Sequence, residues 1–300
     1  MSQKNSPPVI DYEGSDYQAR FWGQGERAYE DRVEAIALRR LLPPGGGKRL
    51  LELGAGAGRN TPRYEKFHEV VLLDYSTTQL AQARQRLQNK SNYRFIAADI
   101  YHLPFAPHSF DAATMIRTLH HMADAPLALQ QVDEVLCGQA AFILEFASKH
   151  NLKAILRYWL GKQKWSPFTL EPVEFVKLNY DFHPLQIRKW LEAAGFRMER
   201  QLTVSHFRSG FLKRVIPLKV LVGLDAFLQP SGELIQLTPS VFLRARDTRP
   251  LSPVSAQLQF RCPACGMVPL EETSSKMICH QCHQSYPLVE GIYDFRLINN

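Results

Sequence analysis

Between residues 26 and 42 the apolar side chains Tyr29, Val33, Ile36, Ala37 and Leu41 recur three or four positions apart, the spacing of a helix with one buried face. Two prolines and three glycines, residues 43–47, end that pattern. The period then changes. RLLELG (49–54), VVLLD (70–74), YRFIAAD (93–99), FDAATMI (110–116) and AAFILEF (140–146) are short apolar runs rich in strand-forming residues, and they predict buried parallel strands. Helical stretches separate them, notably 76–87 with Ser76 as its N-cap and 124–136 with Pro126 in its first turn. Five alternations of strand and helix predict an α/β fold, a doubly wound sheet that takes its ligand at the carboxyl ends of the strands.

Past residue 147 the alternation loosens. Leu152, Ile155, Leu156, Trp159 and Leu160 form an apolar helical stripe with Lys153 and Arg157 off it and Lys149, Lys162 and Lys164 close by, a cationic amphipathic helix. A helix over 184–194 closes on Gly195, and strands around 198–206 and 239–246 bring the sheet to seven. The connection between those two strands, 207–237, is basic, broken by Pro217, and too apolar for a plain surface loop. A Pro/Ser stretch at 249–255 reads as a linker. The expected organisation is a large domain over 1–250 and a small cysteine-bearing one over 256–300. The large one comprises the helix 26–42, a core over 45–147 and basic apolar insertions at 148–183 and 207–237. Three hundred residues suit that division.

Composition adds little about class but something about surface. With 45% hydrophobic and 22% charged residues the chain is neither mainly disordered nor fibrous. Its apolar runs fall far short of a membrane span, and MSQKNSPPVIDYEG has no signal-like region, so the expected place is the cytoplasm. The net charge of +7 is concentrated: residues 148–250 hold 17 Lys and Arg against 8 Asp and Glu. An anionic partner would meet that segment, although a solvated basic face has the same composition.

The sharpest local signal is LLELGAGAGRN, residues 50–60, where a strand ends in Gly54, Gly56 and Gly58 before a helix. Glycines there let the backbone turn tightly and approach a ligand at a helix N-terminus. The turn is G-x-G-x-G, because Arg59 occupies the third-glycine position of a dinucleotide fingerprint. Asp74 ends the second strand, where a carboxylate can accept from both ribose hydroxyls of an adenosine; Asp99 ends the third, where it can accept from an adenine amine. Either Asp serves equally as a helix N-cap.

With these residues in order, the chain resembles the class I S-adenosylmethionine (SAM) dependent methyltransferases over about residues 45–200. The likeness rests on ELGAGAG, LLDYS, AADIYHLPFAPHSFDAA, IRTLHHMADAP and HPLQIRKWLEAAGFRME. It implies a Rossmann-like seven-stranded sheet binding SAM. Glu52 and the backbone of Gly54, Ala55, Gly56 and Gly58 would face the methionine part, Asp74 and Tyr75 the ribose, and Asp99 and Ile100 the adenine, with Arg117 closing the pocket. Cys137-Gly138-Gln139 stands where the family usually has a Pro-Gly-Gly turn.

Methyl transfer is an in-line displacement, and alignment alone can supply ~7–11 kcal/mol, so no reactive nucleophile is needed. A hydroxyl or protonated amine acceptor is helped by a general base, and His120 and His121, just past the fourth strand, are the candidates; a pocket-lining role is the alternative. No Asn/Asp-Pro-Pro-Tyr/Phe tetrapeptide follows that strand, which disfavours amino-directed DNA and protein-glutamine methylation. Cytosine C5 chemistry needs a covalent Cys, and Cys137, read as a small buried apolar residue, lies in the wrong place.

Cys262-x-x-Cys265 and Cys279-x-x-Cys282, 13 residues apart, offer the four thiolates of a structural zinc site. Haem attachment through Cys279–His283 or a redox couple would each leave one pair unexplained. The tail resembles the short zinc ribbons fused to methyltransferases and the small zinc-ribbon activator of tRNA and release-factor methyltransferases.

Three functions are compatible with this reading. The first is methylation of a small-molecule or lipid-like acceptor, since LHHMADAP resembles the quinone-biosynthesis branch. The basic insertions, with Lys213 and Arg214, would rest on an anionic membrane surface. The second is RNA methylation, with the basic segment tracking phosphates and the ribbon gripping rRNA or tRNA. The third is a non-catalytic SAM-binding scaffold whose ribbon docks a protein partner.

Overall fold

The computed structural model describes residues 7–10, 13–14, 27–88 and 90–296. Glu26, the first residue of the expected N-terminal helix, lies outside them. Helix α1, Ala28–Leu41, buries Tyr29, Val33, Ala37, Leu38 and Leu41 along one stripe, and two carboxylates, Glu30 and Glu34, go down with them. It stops where Leu42 turns extended ahead of the Pro/Gly run.

Five parallel strands follow as the apolar runs require: β1 Gly47–Leu53, β2 Phe67–Asp74, β3 Tyr93–Ala97, β4 Phe110–Met115 and β5 Leu136–Ala147. Helix α2, Thr77–Arg86, is capped by Ser76 Oγ, which accepts from the Gln79 amide at 3.2 Å; α3, Ala125–Val135, is capped in the same way by Asp124. Further on come α4 Leu152–Trp159, the two-stranded ribbon β6 Val173–Val176 and β7 Asn179–Asp181, and α5 Pro184–Ala193. Next are β8 Phe196–Val204, α6 Gly210–Val215, α7 Leu218–Leu228 and β9 Ser240–Asp247. The last four strands are β10 Glu271–Glu272, β11 Lys276–Ile278, β12 Ser285–Val289 and β13 Ile292–Asp294.

The seven core strands lie in the order β3-β2-β1-β4-β5-β9-β8, with β9 antiparallel to both its neighbours. Chain direction through the sheet reverses between β1 and β4, and in a doubly wound sheet that switch point opens a crevice at the strand ends. Burial on both faces explains the unbroken apolar runs: Leu50–Leu53 and Val70–Leu73 are inaccessible or nearly so.

Four features sharpen or correct the expectation. First, β5 starts at Leu136 directly out of α3, so Cys137-Gly138-Gln139 belong to a strand and not to a turn. A Cβ on Gly138 would fall 1.8 Å from the Pro250 carbonyl oxygen, so the chain after β9 packs where a side chain would stand, and Ser252 Oγ accepts from the Gly138 amide at 2.8 Å. Second, the insertion 207–237 is helical, as expected, and Pro217 interrupts it between α6 and α7. Buried Asp225 on α7 accepts from Tyr29 Oη at 2.6 Å and from the His206 amide at 2.8 Å, fixing α7 to α1. Third, 148–183 carries the β6–β7 ribbon as well as α4.

Fourth, the cysteine-bearing tail joins the main sheet. Strands β10 to β13 form an antiparallel meander, and β13 pairs in parallel with β3, opposing Ile292 to Phe95 and Tyr293 to Ile96. The sheet therefore runs to eleven strands. Phe260, Met277, Tyr286 and Phe295 of the tail pack in the same apolar cluster as Leu103, Phe105 and Phe110. No helix among the described residues is long and apolar enough to cross a membrane.

Candidate functional site

The crevice at the switch point is a cavity of about 980 Å³, its open mouth included. Its floor is the turn after β1. Gly54 and Gly56 both have positive φ, +66° and +52°. A Cβ on Gly54 would lie 2.1 Å from Thr118 Oγ1, so glycine is required there by packing as well as by conformation. One on Gly56 would meet only Gln79 Oε1, at 3.9 Å, so that position opens to the cavity.

Asp74 and Asp99 stand at two successive strand ends on one wall. The Asp74 carboxylate accepts from the Gly56 amide at 2.8 Å and the Ser76 amide at 3.0 Å, so it ties the glycine turn to the start of α2. Asp99 accepts from the Tyr101 amide at 2.9 Å, with His102 Nδ1 at 3.3 Å, and so caps a short 3-10 turn while lining the cavity. The two sequence-level roles of this Asp are thus compatible. Ala55, Tyr75, Ile100 and Arg117 line the same space.

Glu52 and Gly58 are not among the lining residues. Glu52 is buried behind the turn and accepts from Thr61 Oγ1 at 2.6 Å; burial pushes its carboxyl up to about 8 despite that hydrogen bond.

The two histidines part company. His121 lines the cavity, and His120 packs behind it with ring centroids 3.9 Å apart and its Nδ1 buried without a hydrogen-bond partner. His121 Nδ1 lies 3.2 Å from the Leu178 carbonyl oxygen, contributed by the β6–β7 ribbon. As donor to a carbonyl, Nδ1 carries the proton and Nε2 is the basic nitrogen. Burial lowers the His121 pKa below that of an ordinary histidine, so the ring is neutral at pH 7 and can take a proton.

Sequence reasoning missed an ion network along the α1 side. Glu34, with a fully buried carboxylate, pairs with Arg59 at 2.8 Å and with Arg117, and both arginines line the cavity. Burial would raise the Glu34 carboxyl, but Arg117 and Arg59 outweigh it and hold it below the usual range. Arg117 itself has a positive φ, +57°, and its amide donates to Glu145 Oε2 at 2.9 Å. The available signal was a glutamate on the apolar stripe of a helix, which demands a buried cation.

In the tail, the sulfurs of Cys262, Cys265, Cys279 and Cys282 lie within 4.8 Å of one another, with 3.6 Å between Cys262 and Cys282 and 3.5 Å between Cys265 and Cys279. Zinc–sulfur bonds of ~2.3 Å give a tetrahedron with edges of about 3.8 Å, so this set of four thiols fits such an ion.

Residues 51–144 match the methyltransferase domain family. A demethylmenaquinone methyltransferase of Chlamydia pneumoniae is 35% identical over 133 residues, 39% of this chain and 57% of that protein. One from Clavibacter sepedonicus is 29% identical over 177 residues, 55% of this chain and 72% of that protein. The chain thus spans little more than half of the first of these relatives. In three dimensions it resembles a putative S-adenosylmethionine dependent methyltransferase from Listeria monocytogenes, with a TM-score of 0.53 and 16% identity over 74% of this chain and all of that one. Residues 51–144 thus match a methyltransferase domain model, and the sheet around them has the fold of a SAM-dependent methyltransferase.

Proposed function

We propose that the protein transfers a methyl group from SAM to a small, lipid-like acceptor of the quinone-related kind named for its relatives. The supporting observation is the cavity itself. It gathers the glycine turn, Asp74 and Asp99 on one side and a neutral, oriented His121 on the other. In this reading Asp74 and Tyr75 hold the ribose, Asp99 and Ile100 the adenine, and the backbone of Gly54, Ala55 and Gly56 the methionine end, where Arg117 closes the space. Glu52 and Gly58 support the turn from behind.

Bound there, SAM supplies an electrophilic methyl group. The protein orients the acceptor in line with it and excludes water. His121 Nε2 takes the acceptor's proton while Leu178 holds its other nitrogen, and His120 keeps the ring in place.

In the same reading the main domain runs over 1–250, and the tail over 256–300 holds a structural zinc ion through its four cysteines. The insertions rest on an anionic membrane that supplies the acceptor. Trp159, Leu160, Phe211 and Phe227 are between 67% and 81% exposed, and Lys153 and Arg157 lie exposed beside the first pair. Lys213 is committed to Glu30, so Lys153 and Arg157 are the charges to neutralise. With both replaced by Gln, binding to anionic liposomes is expected to fall roughly 30-fold, about 1 kcal/mol per charge; unchanged binding removes the membrane from the reading.

The deciding experiment incubates the protein with methyl-labelled SAM and a cell extract, then separates lipid, small-molecule, RNA and protein fractions. Label in lipid or small molecules supports the proposal. Label in RNA replaces it with a phosphate-tracking function for the basic segment, and label nowhere with SAM bound replaces it with a scaffold.

A further inference from the structure

The end of the tail reaches the cavity wall. The Phe295 amide donates to the Ala97 carbonyl at 2.7 Å, carrying the β13–β3 register one residue further and bringing Arg296 beside the end of β2. Asp294 grips the guanidinium at 2.9 and 2.6 Å, so the side chain is fixed and only 14% exposed. Its Nη1 then donates to the Tyr75 carbonyl at 3.3 Å and to Glu13 Oε2 at 3.4 Å, with the guanidinium carbon 5.7 Å from the centre of the Tyr75 ring.

Both contacts lead into the cavity. Tyr75 is part of its wall, next to Asp74. Glu13 accepts from the Thr77 and Thr78 amides at 3.0 and 3.1 Å and from the Thr77 hydroxyl at 3.0 Å, so it caps the first turn of α2. A few residues before it, Val9 and Ile10 line the cavity together with the glycine turn. On its other side Arg296 is anchored by the cysteine-bearing tail. The Phe295 ring packs 4.9 Å from Tyr286 and 5.3 Å from Phe260, and Tyr286 Oη lies 3.1 Å from Cys262 Sγ.

We propose that Arg296 is a positioning residue for SAM: by holding Tyr75 and the Glu13 anchor of residues 9–10, it gives the tail control over cofactor affinity. This rests on reading the cavity as the SAM site. The tail then completes the cofactor pocket, whereas a purely structural Arg296 would only fasten the tail to the sheet.

The test measures S-adenosylhomocysteine binding by calorimetry, and initial rates with the labelled acceptor fraction, for wild type, Arg296→Ala and Arg296→Lys. Losing a charge-assisted contact on the wall is expected to weaken binding by about tenfold and raise KM for SAM by the same factor. The kcat at saturating SAM stays within about twofold, because nothing touching the reacting atoms has changed. Lysine restores most of the affinity, since its ammonium still meets Glu13 and the Tyr75 carbonyl. Equal affinity of Arg296→Ala and wild type overturns the proposal. Should Arg296→Ala fail to fold, Glu13→Gln, which keeps an acceptor for the Thr77 and Thr78 amides and removes the charge that meets Arg296, decides in its place: weaker binding supports the proposal, unchanged binding overturns it. A wild-type protein that binds no S-adenosylhomocysteine instead overturns the reading of the cavity.

Discussion

At His121 the separation of binding from chemistry can be measured. Its ring is oriented by Leu178 and faces the cavity from the wall opposite the two aspartates. His121→Ala is expected to lower kcat by about 10²–10⁴, with S-adenosylhomocysteine affinity within twofold of wild type; equal loss in both would assign it a lining role only. Because burial lowers its pKa and the neutral ring is the active form, kcat/KM should rise with pH through a midpoint below the ordinary histidine value. Glu52 shows the opposite sign. Its folded pKa of about 8 lies above the unfolded value, so the folded state binds more protons between roughly pH 4.5 and 8 and stability falls as pH rises across that window. Glu52→Gln keeps an acceptor for Thr61 and removes the titration. Between pH 6 and 8.5 the wild-type melting temperature should drop by roughly 3 °C more than that of the variant, and parallel curves would sink the assignment.

At the scale of elements, helix α1 is coupled to the cavity by two carboxylates, Asp31 on Arg59 and the buried Glu34 on both Arg59 and Arg117. Glu34→Gln removes the buried carboxylate that Arg59 and Arg117 share, and Asp31 still meets Arg59 while the Arg117 guanidinium is left facing an uncharged amide. A loss of about 3 kcal/mol in urea unfolding is expected; a loss under 1 kcal/mol would mean that solvent already screens the network. Strand β3 has a similar dependence on β13, which covers its edge. In the zinc reading proposed above, a tail with Cys262 and Cys279 replaced by Ser should no longer hold the ion, should uncover that edge and should self-associate, which light scattering would detect. A variant that stays monomeric with about one zinc per chain lost would show that the meander holds without the ion.

Across the whole molecule, what could be read from sequence followed the range of the interactions. Periodicity located β1 to β5 and α1 to α3 within a few residues, because burial on both faces of a parallel sheet leaves continuous apolar runs. Motifs at the strand ends singled out Gly54, Gly56, Asp74, Asp99 and His121, and the family resemblance added Ile100 and Arg117; the structure brings all seven to one cavity. Local pattern could not show that Glu52, Gly58 and His120 lie behind that surface, because one residue's step along a turn reverses its direction. Nor could it reveal the pairing of Glu34 with Arg59 and Arg117, the ribbon behind His121, or the junction of tail and sheet. Those contacts join residues far apart in sequence, and no local rule encodes their partner.

The pairing of β3 with β13 also has a temporal side. Phe95 and its partner Ile292 are separated by nearly two hundred residues, which a ribosome adding ~5–20 residues per second takes roughly 10–40 s to bridge. Throughout that interval β3 can form against β2 while its outer backbone groups have no strand beside them. A nascent chain is therefore sticky for longer than its finished form, and slowed elongation or premature termination after the methyltransferase domain should divert it into aggregates.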